Sequence, residues 1–231
     1  MVVSVKADTS FPGIYWITSE DGSRKLGTRN IAPGFSVYGE RRVSFNNEEY
    51  RFWDPYRSKL AAAILNGLDK VPILPGSKIL YLGAASGTTA SHISDIVGED
   101  GQVYCVEFSS RSIRELVNNV CTHRYNMSPI LADARLPESY SRMVEQADSI
   151  YFDVAQPEQA RILADNSDVF LINGGGVLMT IKAQSIDVTK EPAEVFKKEI
   201  ELLESRGFTV HNVVNLEPFD KAHVMVVAHK R

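Results

Sequence analysis

The sequence predicts an α/β protein: a small N-terminal antiparallel β domain over residues 1–53, then a domain over 54–231 built on a seven-stranded, mostly parallel sheet with an antiparallel last strand. Two observations carry this. From residue 78 onward, apolar β-branched segments alternate with helical ones, the βαβ pattern of a parallel sheet with helices on both faces. The last two apolar segments, "FTVHNVVNL" and "HVMVVAHK", are separated only by "EPFDKA", too little for a crossover helix, so the final strand turns back on its neighbour.

Taken in order, "GIYWI", "FSVYGERRV" and "EYRFW" carry aromatic and β-branched residues between turn signals such as Glu20-Asp21-Gly22-Ser23 and Asn46-Asn47. Asp54-Pro55 offers an N-cap and a first-turn proline to a helix through "YRSKLAAAILNGLD". Strands follow at "KILYL", "QVYCVEF", "SPILADA", "DSIYFDVA", "GVLMTIKA", "FTVHNVVNL" and "HVMVVAHK", with helices over 86–97, 110–124, 138–146, 157–171 and 191–206. A Rossmann-like sheet of seven strands with the last reversed is the usual layout of S-adenosylmethionine-dependent methyltransferases. A dinucleotide-binding sheet normally has six parallel strands.

Composition narrows the function. The chain has 231 residues, 44% of them hydrophobic and 23% charged, as expected of a globular protein with one large core. No apolar run reaches the ~18 residues of a membrane helix, and "MVVSVKADTS" lacks signal-peptide character. The two cysteines, Cys105 and Cys121, lie in apolar-periodic segments and read as buried thiols; no metal-ligand spacing exists. A cytoplasmic location follows as the expectation. The net charge of −4 argues against unaided gripping of nucleic acid. Residues 24–59 nevertheless hold eight basic side chains against four acidic ones. That segment is either a solvated face or a local patch for phosphates.

Ligands of open α/β sheets bind outside the carboxyl ends of the strands. The first of these ends carries Gly83-Ala84-Ala85-Ser86-Gly87-Thr88-Thr89, in which Ala85 takes the middle place of a G-x-G-x-x-G fingerprint. Glu107, Asp133 and Asp153 close the next three strands. Singly, each acid reads as a helix cap. Three in series beside a glycine loop make an acidic cleft, hostile to pyrophosphate and suited to a ligand bearing an ammonium and a sulfonium. Glu107 can accept both ribose hydroxyls of an adenosine, and Asp133 suits the neighbourhood of the adenine. The run Gly174-Gly175-Gly176 precedes its strand and so reads as a structural turn at the opposite edge. Lys182 ends the strand next to the one ending at Asp153, and adjacent strands lie ~4.8 Å apart. His223 and Glu217 come out at the same edge, and Lys59 reaches it if its helix packs over the cleft. A lysine can deprotonate a ribose hydroxyl only if desolvation and a nearby like charge favour its free amine. Lys59 could supply that charge while Asp153 orients the ammonium.

"LGTRNIAPGFSVYGERR", "WDPYRSKLAAAILNGLD", "YLGAASGTTASHISDIV", "VYCVEFSSRSIREL", "IYFDVAQPEQARIL", "TIKAQSIDVTK" and "LEPFDKAHVMVVAHK" together resemble the fibrillarin family, in its archaeal form, from about residue 10 to the C-terminus. The resemblance implies a guide-RNA-directed ribose 2′-O-methyltransferase of rRNA and tRNA that uses S-adenosyl-L-methionine within box C/D ribonucleoproteins. Its implied partners are a Nop-domain scaffold protein, a kink-turn-binding protein and the box C/D guide RNA. By the same resemblance, the donor contacts fall on Gly83, Ala84, Thr88, Thr89, Glu107, Phe108, Asp133, Ala134, Asp153, Val154, Ala155 and Gln156. The catalytic set falls on Lys59, Asp153 and Lys182, with His223 the better match for a fourth member and Glu217 the alternative. The loop reads "GAASGTT" where many relatives have "GASAGTT", and the Gly/Arg-rich tail of eukaryotic members is absent from this sequence. Two competing readings are an NAD-type oxidoreductase, which the Glu107 position would suit, and a non-catalytic scaffold for a Nop-domain partner, which would not need the two lysines and Asp153.

Overall fold

The computed structural model describes residues 2–231. The N-terminal sheet comprises β1 (Val2–Ala7), β2 (Ile14–Ser19), β3 (Arg24–Arg29), β4 (Arg42–Phe45) and β5 (Glu48–Phe52), in the order β1-β2-β3-β5-β4 and antiparallel throughout. The polar "RKLGTR" of β3 and the "VVSVKA" of β1 lack aromatic clustering, and neither was anticipated as a strand. "FSVYGERRV" becomes a strand only from Arg42. Before it, the amides of Val37 and Tyr38 donate to the Glu40 carboxylate (2.9 and 2.8 Å), which curls the chain out of extended geometry. The following helix, α1 (Lys59–Leu65), also begins later than the sequence suggests. Asp54 accepts from the Tyr56 amide at 2.9 Å in an Asx turn that competes with helix, and Ser58 becomes the N-cap.

The larger sheet comprises β6 (Lys78–Leu82), β7 (Gln102–Glu107), β8 (Met127–Leu131), β9 (Ala147–Phe152), β10 (Leu171–Lys182), β11 (Phe208–Asn215) and β12 (His223–Lys230). Its order is β11-β12-β10-β9-β6-β7-β8, with β12 antiparallel to both its neighbours and the remaining pairs parallel. The intervening helices are α2 (Thr88–Val97), α3 (Ser110–Asn119), α4 (Gln159–Phe170), α5 (Ala183–Ile186) and α6 (Pro192–Ser205). Two expectations need correcting. In place of a helix over 138–146 there is a 3-10 stretch, Pro137–Met143, broken at Tyr140, whose ring stacks 5.3 Å from that of Phe170. The glycine run belongs to β10 rather than preceding it, at a register shift between Leu171 and Gly176. A Cβ on Gly176 would lie 2.3 Å from Pro72 Cβ, so only glycine lets that segment close there.

Side-chain alternation along β6 divides the core. Ile79 and Tyr81 face α1, α2 and the N-terminal sheet, in one cluster with Ile14, Leu26, Trp53, Leu60 and Ile93. Leu80 and Leu82 face α4 and α6, with Leu163 and Leu203. No helix among the described residues is long and apolar enough to cross a membrane.

A buried polar network fastens the N-terminal sheet to α2. Asp95 on α2 accepts from Arg51 Nε at 3.0 Å and Arg124 Nη1 at 2.5 Å, while Arg51 Nη1 also reaches Glu40 at 2.8 Å. The side chains of Arg51 and Asp95 are 0% exposed. Thr28 donates its single hydroxyl proton to Asp95 (2.7 Å), so His92 Nδ1 must donate to Thr28 Oγ1 (2.8 Å); Nε2 faces the Tyr38 hydroxyl (2.8 Å), which also reaches the Phe52 carbonyl at 3.2 Å. The imidazole stacks on Trp53 at 4.7 Å. Burial, and then the charges of Arg51 and Arg124, hold its pKa well below the ordinary range.

Replacing Asp95 with Ala leaves the buried Arg124 without a carboxylate and Arg51 with Glu40 alone. It is expected to lower stability by roughly 3–5 kcal/mol, read from the denaturant midpoint. The His92 shift gives a pH dependence. The unfolded chain takes up a proton near pH ~6.5 and the folded chain only far below, so stability present above that pH is lost as pH falls through it. The expected slope approaches about 1.4 kcal/mol per pH unit. Thermal unfolding of wild type against His92→Gln between neutral and mildly acidic pH isolates it, since the variant lacks that term.

Candidate active site

Five strand ends meet around a cavity of about 320 Å³, which is lined by Gly83, Glu107, Asp133, Asp153 and Lys182 among others. The cavity lies where the sheet order changes direction, between β6 and β9. Gly83, just past β6, has φ +83°, and a Cβ there would come within 2.8 Å of the Asp153 carbonyl oxygen. The two strand ends approach backbone to backbone, and the Asp153 amide donates to the Leu82 carbonyl at 2.9 Å. Ala85 continues the loop at φ +48°, a left-handed conformation that costs a non-glycine residue about 1–2 kcal/mol. Its amide is repaid by Glu107 Oε2 at 2.9 Å, while Glu107 Oε1 accepts from the Ser109 amide at 2.8 Å. Glu107 is thus fixed by two backbone donors, and each of its oxygens keeps a further lone pair.

Asp153 stands between two ammonium groups. Lys59 Nζ, from the first residue of α1, is 3.2 Å from Oδ2. Lys182 Nζ, from the end of β10, is 2.8 Å from Oδ1 and donates to the Asp153 backbone oxygen at 2.8 Å. The directed bond goes to the backbone oxygen, and the contact with Oδ1 is ionic: Oδ1 is buried and has no hydrogen-bond partner. Lys182 is seated by the buried Gln159, whose Oε1 accepts from the Lys182 amide at 3.0 Å. His223 pairs in register with Lys182 across β10 and β12. Its Nδ1 faces the Lys221 carbonyl (2.6 Å) and Asp220 Oδ1 (3.0 Å). Asp220 also lies 3.7 Å from Lys59, so it ties His223 to the lysine pair. Beneath the site, burial, their mutual contact and the Asp153 charge hold the phenols of Tyr81 and Tyr151 neutral, far above the ordinary range.

Not every sequence-derived candidate reaches this cavity. Phe108, Ala134, Val154, Ala155 and Gln156 line it; Ala84, Thr88 and Thr89 do not. Thr89 is buried, its hydroxyl donating to Ser58 Oγ at 3.0 Å. Glu217 is exposed, and its backbone is held by Asn215 and Asn66. Asp133 lies two residues past the end of β8 and is gripped by Arg135 at 2.6–3.1 Å, which holds its carboxyl below the usual range. The cleft is therefore less acidic than its three carboxylates suggest. Arg135 and Asp220 were missed. Neither residue ends an apolar strand, although "DAR" and "DKAH" place a charge two and three residues from Asp133 and His223.

The arrangement offers a fixed carboxylate for a diol and, across the cavity, a carboxylate flanked by two amines, able to hold and deprotonate a hydroxyl. Comparison with known proteins agrees with that chemistry. The fibrillarin family model matches residues 5–231. A fibrillarin-like rRNA/tRNA 2′-O-methyltransferase of Pyrobaculum aerophilum is 56% identical over 231 residues, covering 100% of this chain and 98% of its own. The crystal structure of Aeropyrum pernix fibrillarin with natively bound S-adenosyl-L-methionine has a TM-score of 0.93 at 53% identity, covering 99% of each chain. A fibrillarin in complex with Nop5p has a TM-score of 0.79 at 41% identity, covering 90% of this chain and 94% of that one. With a family match spanning nearly its whole length, the chain belongs to the fibrillarin family.

Proposed function

We propose that this chain is the guide-RNA-directed ribose 2′-O-methyltransferase of a cytoplasmic box C/D ribonucleoprotein, acting on rRNA and tRNA with Lys182 as general base. The observation that carries the reading is the Lys59–Asp153–Lys182 cluster on the rim of a nucleoside-sized cavity. Its scaffold partner is a Nop-domain protein, as in the related fibrillarin/Nop5p complex. The kink-turn-binding protein and guide RNA complete the particle and choose the target by base pairing.

The cavity fits S-adenosylmethionine. Glu107 has free lone pairs for both ribose hydroxyls, and the Gly83 approach leaves backbone rather than side chain at the floor. Asp133, Ala134 and Phe108 would enclose the base, and Asp153 to Gln156 the amino-acid end. When bound, the donor supplies a methyl group made electrophilic by its sulfonium. The chain does the rest. The Asp153 carboxylate, held between the two ammonium groups, accepts from the 2′-hydroxyl and orients it. Two ammonium groups converge on the Asp153 carboxylate, and Asp220 lies 3.7 Å from Lys59 on the other side. As general base, Lys182 Nζ takes the hydroxyl proton as the oxygen attacks. His223 and Asp220 close the side toward solvent and hold Lys59 in place. Placing oxygen, methyl and sulfur in line supplies much of the remaining acceleration.

In the assembled particle, Lys182→Ala is expected to slow tritium transfer from labelled donor to a guide-paired RNA by roughly 10²–10⁴-fold. Calorimetric affinity for the donor stays near that of wild type, and a 2′-deoxy target is the control. Turnover retained in the variant would remove Lys182 as base. Glu107→Gln loses charge-assisted bonds to the ribose. Its donor affinity is expected to fall roughly ten- to hundredfold, with kcat at saturating donor less affected.

A further inference from the structure

The basic side chains of residues 24–59 fall into two groups. Arg51 is buried against Asp95 and Glu40, Arg29 and Arg42 pair with Glu48 and Glu49, and Lys59 holds Asp153. Arg24, Lys25, Arg41 and Arg57 remain exposed and, among the described residues, form no ion pair. All four line a second groove of about 840 Å³ beside α1. Two of their guanidinium groups are braced by rings of the groove wall: Arg41 lies 5.2 Å over Phe52, and Arg57 lies 5.7 Å over Tyr38. Stacking fixes a guanidinium without using its N–H donors, which remain available for an oxyanion.

The groove runs toward the catalytic cluster. Tyr56, 68% exposed, stands at that end with its ring T-shaped to that of Phe219 (5.1 Å). Phe219 precedes Asp220, which contacts Lys59 and His223. Arg57 and Tyr56 lie two and three residues before Lys59, so their Cα atoms are within about 11 Å of it. The acids near this end are occupied: Glu40 by Arg51 and two amides, Asp54 by the Tyr56 amide. Glu20 and Asp21 line the groove along with Arg24 and Lys25, away from Arg41 and Arg57 in sequence.

We propose, on the premise that the substrate is RNA, that Tyr56, Arg57 and Arg41 form the docking track for the RNA strand flanking the reacting ribose. Tyr56 stacks on a neighbouring base, and the two arginines take phosphates. An open face of an aromatic ring next to ring-braced, unpaired guanidinium groups is how single strands are held without sequence readout. That suits an enzyme whose target is selected by a guide.

The test is methyl transfer by the assembled particle at saturating donor, with target RNA varied. Tyr56→Ala raises KM for RNA roughly five- to hundredfold without changing donor affinity, and Tyr56→Phe restores it, because the ring and not the hydroxyl does the stacking. Arg41→Ala with Arg57→Ala lowers the salt slope of binding by about 0.7 per lost phosphate contact, read by anisotropy of a labelled guide–target RNA on the purified protein. Unchanged KM and salt slope would overturn the track. So would variants that bind RNA normally but no longer co-assemble with the Nop-domain protein, since the groove would then be a protein interface. Should wild type transfer no methyl group while RNA binding still depends on the arginines, the methyltransferase reading fails and the track stands.

Discussion

A single carboxylate, Asp153, organises the centre of the molecule. It lies where the strand order reverses, and two ammonium groups from segments more than a hundred residues apart converge on it at 3.2 and 2.8 Å. A buried acid with one counter-charge would be a salt bridge and nothing more. With two, and with Asp220 3.7 Å from Lys59, it is a network of opposite charges at the rim of the cavity. The sheet makes this possible. The parallel strands β9 and β10 deliver Asp153 and Lys182 side by side, and the reversed β12 brings His223 to the same edge without a crossover.

The third arm of the cluster depends on the N-terminal sheet. Lys59 opens α1, whose Leu60 and Ala61 are buried in the same cluster as Trp53, at the end of the small sheet, and Ile93 of α2. Asp95 and His92, on the helix that follows the Gly83 loop, are locked to β3 and β5 through Thr28 and Arg51. The loop at Gly83 and Lys59 therefore share one buried support. Removing one partner there is much worse than never having had the pair, which gives the small sheet a mechanical role in catalysis although it contributes no strand end to the cavity.

Much of this was legible in the sequence, for identifiable reasons. The short "EPFDKA" link allowed no helix, so the reversed strand followed from chain length alone. Glu107, Asp153 and Lys182 stood out because apolar strands ended in charge. Where local hydrogen bonds overrode pattern, the reading failed. Glu40 folded "FSVYGER" away from extended geometry, the Asp54 Asx turn delayed α1, and Tyr140 broke an expected helix. Charge counting also misjudged residues 24–59. Composition cannot distinguish Arg51, at 0% exposure, from Arg57 on the surface. Arg135 escaped notice because pairing across two residues is invisible until the loop geometry is known.

The account turns on where the reacting oxygen sits. The most direct measurement is a structure of the particle with a non-reactive donor analogue and an intact ribose target. The account places the 2′-oxygen within hydrogen-bond reach, about 2.6–3.2 Å, of both Lys182 Nζ and the Asp153 carboxylate, with the ribose of the donor on Glu107. A 2′-oxygen lodged elsewhere, with Lys182 still closed on the Asp153 backbone and no contact between them, would contradict it.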